Sequence, residues 1–130
     1  MIVDTSAIIT AIANEPDGAR FQSAIQGAEF LAISAVTVLE TRIVLHGRRQ
    51  TLLAQAFDLL LQRAGIEIVP LDAELAHAAF EAFSRYGKGQ GHPAQLNIVD
   101  CVVYALAKSR DDALLFKGDD FARTDIVPAI

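Results

Sequence analysis

The sequence holds one cysteine, one methionine, three histidines and no tryptophan in 130 residues. The single cysteine, Cys101, excludes an intramolecular disulfide and asks for no oxidising compartment. With so few histidines and cysteines, His46, His77 and His92 form neither a zinc-ligand spacing nor a Ser/His/Asp arrangement. No apolar run approaches the roughly 20 residues that a membrane helix needs. Met1 leads directly into Ile2-Val3-Asp4, without the basic and apolar segments of a secretory leader. Cations are scarce as well, with 11 Lys and Arg against 16 Asp and Glu and a net charge of -5. That balance excludes a protein that grips nucleic acid by bulk attraction, because neutralising phosphate takes clustered cations. It leaves room for a nuclease whose acids recruit a divalent ion. Apolar residues are plentiful: at 52% hydrophobic and 21% charged, the chain is neither disordered nor a charged coiled coil. The expectation is one globular domain over residues 1–130, located in the cytoplasm.

The pattern along the chain alternates short β-branched or apolar runs with helical spacing. Ile2 to Asp4 reads as a buried strand, followed by a helix over about 7–14 capped by Thr5-Ser6 and stopped near Pro16 and Gly18. A second helix covers about 19–25. Phe30 to Ile33 reads as a strand, and Ser34 then caps a helix through His46. Gln50 to Ala64 is helical, with Leu52, Leu53, Ala56, Phe57, Leu60 and Leu61 at core spacing. Ile66, Ile68 and Val69 form a third strand, Asp72 to Tyr86 a helix, and Leu96 to Lys108 a nearly all-apolar helix. Ala113 to Phe116 is the last strand. Strands separated by helices imply an α/β layer structure with a mostly parallel sheet.

A few acids stand out from the rest. Asp4 ends the first strand, where ligand sites of parallel sheets gather, with the hydroxyls of Thr5 and Ser6 beside it. Glu40 shares a helix face with Ser34 and Thr37 amid Val36, Val38, Leu39, Ile43 and Val44. Asn97, Asp100 and Tyr104 draw one polar stripe along the apolar helix, and a buried charge needs a partner. Asp119 and Asp120 follow Gly118 just past the last strand. Taken singly, each has an ordinary structural explanation as a helix cap, a surface charge, a salt-bridge partner or a turn. Together they repel: two charges about 5 Å apart cost roughly 3 kcal/mol at an effective dielectric near 20. A cation offsets that cost, and an all-oxygen, carboxylate-rich set favours Mg²⁺ or Mn²⁺ over zinc. Such a site polarises phosphate and activates water for in-line attack. Two cation groups, Arg42 with Arg48 and Arg49, and Arg85 with Lys88 before the loop Gly87 to Pro93, are equally well explained as solvated surface.

Four segments carry a resemblance: Ile2-Val3-Asp4-Thr5-Ser6-Ala7, Ser34-Ala35-Val36-Thr37-Val38-Leu39-Glu40, Asn97-Ile98-Val99-Asp100-Cys101 and Gly118-Asp119-Asp120-Phe121. In order and spacing they resemble the acidic motifs of PIN-domain ribonucleases. The small size, and the Tyr86-Gly87-Lys88-Gly89 loop leading to Leu96-Asn97, are similar to the VapC toxins of type II toxin–antitoxin modules. The resemblance spans essentially the whole chain. It implies a three-layer α/β/α PIN-like domain, Mg²⁺-dependent endonucleolytic RNA cleavage, a VapB-type antitoxin that blocks the site, and a homodimer. Asp4, Glu40 and Asp100 match the family's acids by position. The fourth is open between Asp119 and Asp120, which are adjacent where the family often spaces two acids around another residue. Thr5, Ser6 and Asn97 are expected to orient the carboxylates or the attacking water. Two other functions fit parts of the pattern. One is a phosphatase using Asp4 as nucleophile, although Ser6 stands where a second Asp is wanted. The other is a non-catalytic protein- or RNA-binding module on the same fold.

Overall fold

Three runs of adjacent buried residues make three of the four strands of the sheet. The computed structural model describes residues 1–130, and in it Ile2–Val3 form β1, Ala32–Ser34 form β2 and Leu114–Leu115 form β4. Glu67–Val69 form β3 at one edge, giving the order β3-β2-β1-β4 with every pairing parallel. Side chains alternate between the two faces of a strand. Ile2, Ala32 and Leu114 therefore enter one core, and Val3, Ile33 and Leu115 enter another. The first core is covered by α5 (Ala73–Tyr86) and α6 (Ile98–Ser109). The second is covered by α1 (Thr5–Ile12), α2 (Gly18–Gly27), α3 (Ala35–Gly47) and α4 (Thr51–Arg63), the last two through Leu45 and Phe57. The expected three-layer α/β/α architecture is present, with a sheet that is wholly parallel. No helix is long and apolar enough to cross a membrane.

The winding reverses at β1. The chain leaves β1 through α1 and α2 to reach β2, continues outward to β3, and returns through α5 and α6 to β4 on the other flank of β1. Crevices open outside the carboxyl ends of strands at such a switch point. Asp4 follows β1, α3 follows β2 and the Phe116–Asp120 segment follows β4, so three acid-bearing segments start from the same edge.

Several local expectations are corrected. Helix α1 starts at Thr5, not Ala7, because Asp4 is its N-cap: the carboxylate accepts the Ser6 N–H. Strand β2 begins at Ala32, and Phe30 is left 75% exposed outside it. Strand β4 is confined to two residues, and α6 begins after Leu96, at Ile98. Cys101 to Ala107 are all buried as expected, whereas Ile98 in the first turn of α6 is exposed. On α4, Phe57 is fully buried but Leu52 faces solvent, and α3 exposes Leu39 and Ile43.

Candidate active site

The acids expected to meet do meet at one edge of the sheet. Asp4, Glu40, Asp100 and Asp120 line a single open cleft of about 440 Å³ together with Thr5, Ser6 and Asn97. Asp4 and Asp100 are each held by a residue close by in the sequence, and Glu40 by one from another helix. Asp4 Oδ2 accepts from Ser6 N at 2.9 Å and from Ser6 Oγ at 2.5 Å. Thr5 Oγ1 donates to Glu40 Oε2 at 2.6 Å, joining α1 to α3. Asn97 and Asp100 form a reciprocal capping box: Asn97 N–H donates to Asp100 Oδ2, and Asp100 N–H donates to Asn97 Oδ1, both at 2.9 Å. The stripe on α6 is therefore divided. Asn97 and Asp100 face the cleft, while Tyr104 turns its hydroxyl to Asp125.

Asp120, and not its neighbour Asp119, lines the cleft. Gly118 takes a φ of +106°, a backbone conformation that suits glycine, and turns the chain past β4. Phe121 then anchors the segment by burying its ring against Phe116. Both acids are exposed, but only Asp120 borders the cleft.

Acids outnumber cations in the cleft, five to two. Burial pushes the Asp4 carboxyl above its ordinary value, against the Ser6 bonds that favour the ionised form, and the Asp120 charge adds to the rise. Burial likewise raises Glu40, opposed by Thr5 and reinforced by Asp4. Asp100 is pushed up to about 7, first by burial, then by the charges of Asp4, Asp120 and Glu40, with the Asn97 bond working the other way. Cys101, beside it, is buried and its thiol is pushed up to about 11, which fits a packing side chain.

Lys117 and Glu15 also line the cleft and, like Thr41 next to Glu40 on α3, were not singled out by sequence reasoning. Lys117 pairs with Glu15 at 2.6 Å and with Asp17 at 3.6 Å, and its N–H donates to Ser6 Oγ at 2.9 Å. Arg48 is the other cation of the cleft. Thr41, fully buried on α3, lies 3.2 Å from the Thr5 hydroxyl and bonds the Thr37 carbonyl. The position of Lys117, two residues past a strand end, was the one available signal. Glu15 and Thr41 had none.

The donor set suits a hard divalent cation: carboxylate, hydroxyl and amide oxygens, with no histidine or cysteine in the cleft. No three His, Cys, Asp or Glu side chains are gathered around one point in a metal-holding cluster. Asp4, Glu40 and Asp100 are each turned to a protein donor of their own. The side-chain bonds fall on one oxygen of each, Oδ2 of Asp4, Oε2 of Glu40 and Oδ2 of Asp100. Donor chemistry and uncompensated charge thus fit Mg²⁺ or Mn²⁺.

A parallel α/β sheet with an acid cleft at its switch point places the chain among the α/β folds that bind ligands at the carboxyl ends of their strands, and comparison narrows the class. The PIN domain family model matches residues 1–127. Ribonuclease VapC28 of Mycobacterium tuberculosis is 41% identical over 130 residues, covering 100% of this chain and 98% of that protein. Ribonuclease VapC42 of the same organism is 39% identical over 129 residues, covering 99% and 98%. The crystal structure of M. tuberculosis VapC20, described as a sarcin-ricin loop cleaving toxin, superposes with a TM-score of 0.78 over 97% of this chain and 95% of that one, at 18% identity. The chain belongs to the PIN-domain family, among the VapC ribonucleases.

Proposed function

We propose that this chain is a Mg²⁺-dependent endoribonuclease, with Mn²⁺ as a working substitute, and the toxin of a VapBC-type toxin–antitoxin module. The observation that carries the reading is the convergence of Asp4, Glu40, Asp100 and Asp120, from four separate segments, on one cleft at the sheet's switch point. Full-length similarity to proteins named VapC ribonucleases supports it. Asp4 and Asp100 would hold the ion, with Glu40 and Asp120 contributing directly or through water. Mg²⁺ bound there would neutralise the clustered acids and supply Lewis acidity toward the scissile phosphate. The chain's own work is positioning. Ser6 fixes Asp4, Thr5 fixes Glu40, and the Asn97 capping box fixes Asp100, so none of the three has to be ordered when substrate arrives.

The partners are RNA as substrate, a VapB-type antitoxin as inhibitor, and a second copy in a homodimer. The exposed Leu39 of α3 and Leu52 of α4 supply apolar surface for protein association. The test is Asp100→Asn, assayed on RNA in Mg²⁺ together with calorimetric titration of the ion. Loss of cleavage and weakened Mg²⁺ binding in a folded variant is expected. Cleavage that persists in the pure variant, or a parent chain that binds no Mg²⁺, would sink the reading.

A further inference from the structure

This acidic chain keeps one stretch free of acids beside the cleft. Between Glu40 and Asp58 there is no Asp or Glu, while Arg42, His46, Arg48 and Arg49 fall within eight residues. In the structure they occupy the last turns of α3 and the bend into α4. Arg48 lines the acid cleft. Arg49, adjacent in the chain, lines a second groove of about 640 Å³ with Arg42, His46 and Gln50. Two neighbouring guanidinium groups therefore connect the cleft to a cationic groove.

Neither guanidinium is held in an ion pair, although the Arg48 charge helps to hold the Glu15 carboxyl down. Arg48 and Arg49 are exposed and enter none of the chain's ion pairs. By contrast, Lys117 is tied to Glu15 and Asp17, and Arg42 is paired with Asp58 at 2.9 Å while resting over the Phe57 ring. The N-terminus of α4 adds to the positive field, since Gln50 gives its first turn no side-chain cap and that turn carries no acid. Guanidinium groups bind phosphate through paired N–H donors. A chain of net charge -5 has few other places to hold a polyanion.

We propose that Arg48 and Arg49, backed by His46 and Arg42, form the track on which the RNA strand's phosphates lie as it leaves the catalytic cleft, and that this track sets substrate affinity. The inference rests on the ribonuclease reading and adds where the rest of the strand lies. A purely structural role, cations favouring the negative end of α3, is the competing explanation.

Steady-state cleavage of a labelled single-stranded RNA, followed over a range of KCl concentrations, separates them. The parent is compared with Arg48→Gln/Arg49→Gln and with the charge-matched Arg20→Gln/Arg63→Gln, whose cations line neither the cleft nor the groove. The first pair should raise KM about tenfold and reduce the slope of log KM on log salt by about 1.4, at about 0.7 per phosphate contact on a single strand. The control should follow the parent, and Arg48→Lys/Arg49→Lys should restore most of the slope. An unchanged KM and salt slope in the Gln pair overturns the proposal, as does a lowered melting temperature with the slope intact. Loss of acidic-peptide binding with RNA parameters unchanged assigns the groove to a protein partner and also overturns it. A parent that cleaves no RNA instead brings down the ribonuclease reading itself.

Discussion

Helix α6 carries a carboxylate site near each end, and the two are opposites. Near its C-terminus, Asp125 accepts from the hydroxyls of Tyr104 at 2.5 Å and Tyr86 at 3.3 Å, and meets Lys108 Nζ at 3.2 Å. The Tyr104 bond, with Lys108 and Arg85 nearby, holds its carboxyl down to about 2. At the N-terminus, Asp100 receives one backbone bond, is more buried, and faces three other acids, which leaves it at about 7. The first site is complete within the protein and fastens the C-terminal segment to α5 and α6. The second sets Asp100 among three other carboxylates, in a cleft whose cations are Lys117 and Arg48. A count of donors and countercharges around each carboxylate separates a structural acid from a functional one.

The largest test of this contrast is activity. Asp100→Asn should cut RNA cleavage by at least about a hundredfold, because it removes charge from the proposed ion site. Asp125→Asn should leave cleavage by the folded protein within a few fold of the parent. Next in size is the fourth acid. Asp120→Asn should weaken Mg²⁺ binding about tenfold in calorimetry, whereas Asp119→Asn, outside the cleft, should leave it unchanged. Equal losses in both would erase the distinction the turn at Gly118 draws between them.

Stability should show the reverse ranking. Asp125→Asn should cost about 1–2 kcal/mol in urea unfolding, modest because its carboxylate is partly exposed. The two acids should also pull stability in opposite directions with pH. Asp100 binds its proton more tightly folded than unfolded, so its contribution is full below the usual carboxylate range and is lost as pH rises through about 7. Asp125 stabilises above its unfolded value near 3.8, and that contribution is lost as pH falls toward about 2. Asp100→Asn should therefore be more stable than the parent at pH 8, with the difference shrinking toward pH 4. The smallest effect is that of Mg²⁺ on the melting temperature of the parent. It should be greater at pH 8 than at pH 5, where protons compete for the same oxygens. A Mg²⁺ effect independent of pH would break the link between the ion and these acids.

Much of the site was legible because its residues stand next to the elements that position them. Asp4 follows β1 two residues before Ser6, and Asn97 sits three residues before Asp100, so short-range spacing already encodes two of the holding bonds, whereas that of Glu40 comes from Thr5, far away in the chain. The burial of Cys101 to Ala107 was equally plain from composition. Less visible were contacts between segments far apart in the chain: Glu15 with Lys117, Thr41 with Thr5, and Tyr104 with Asp125. The polar stripe on α6 pointed to one partner, and the fold supplied two.

Sequence by itself determined the alternation of strands and helices, the two-sided apolar strands that demand helices on both faces, and the acids available for chemistry. Each of these follows from the periodicity or type of neighbouring residues. Only the tertiary structure decided that Asp120 and not Asp119 borders the cleft, that Asp100 lies among other acids while Asp125 lies among donors, and that Arg48 and Arg49 line the cleft and a neighbouring groove. Those outcomes depend on the direction in which a side chain points after a turn and on which distant charges fold close to it, and neither is a property of local sequence.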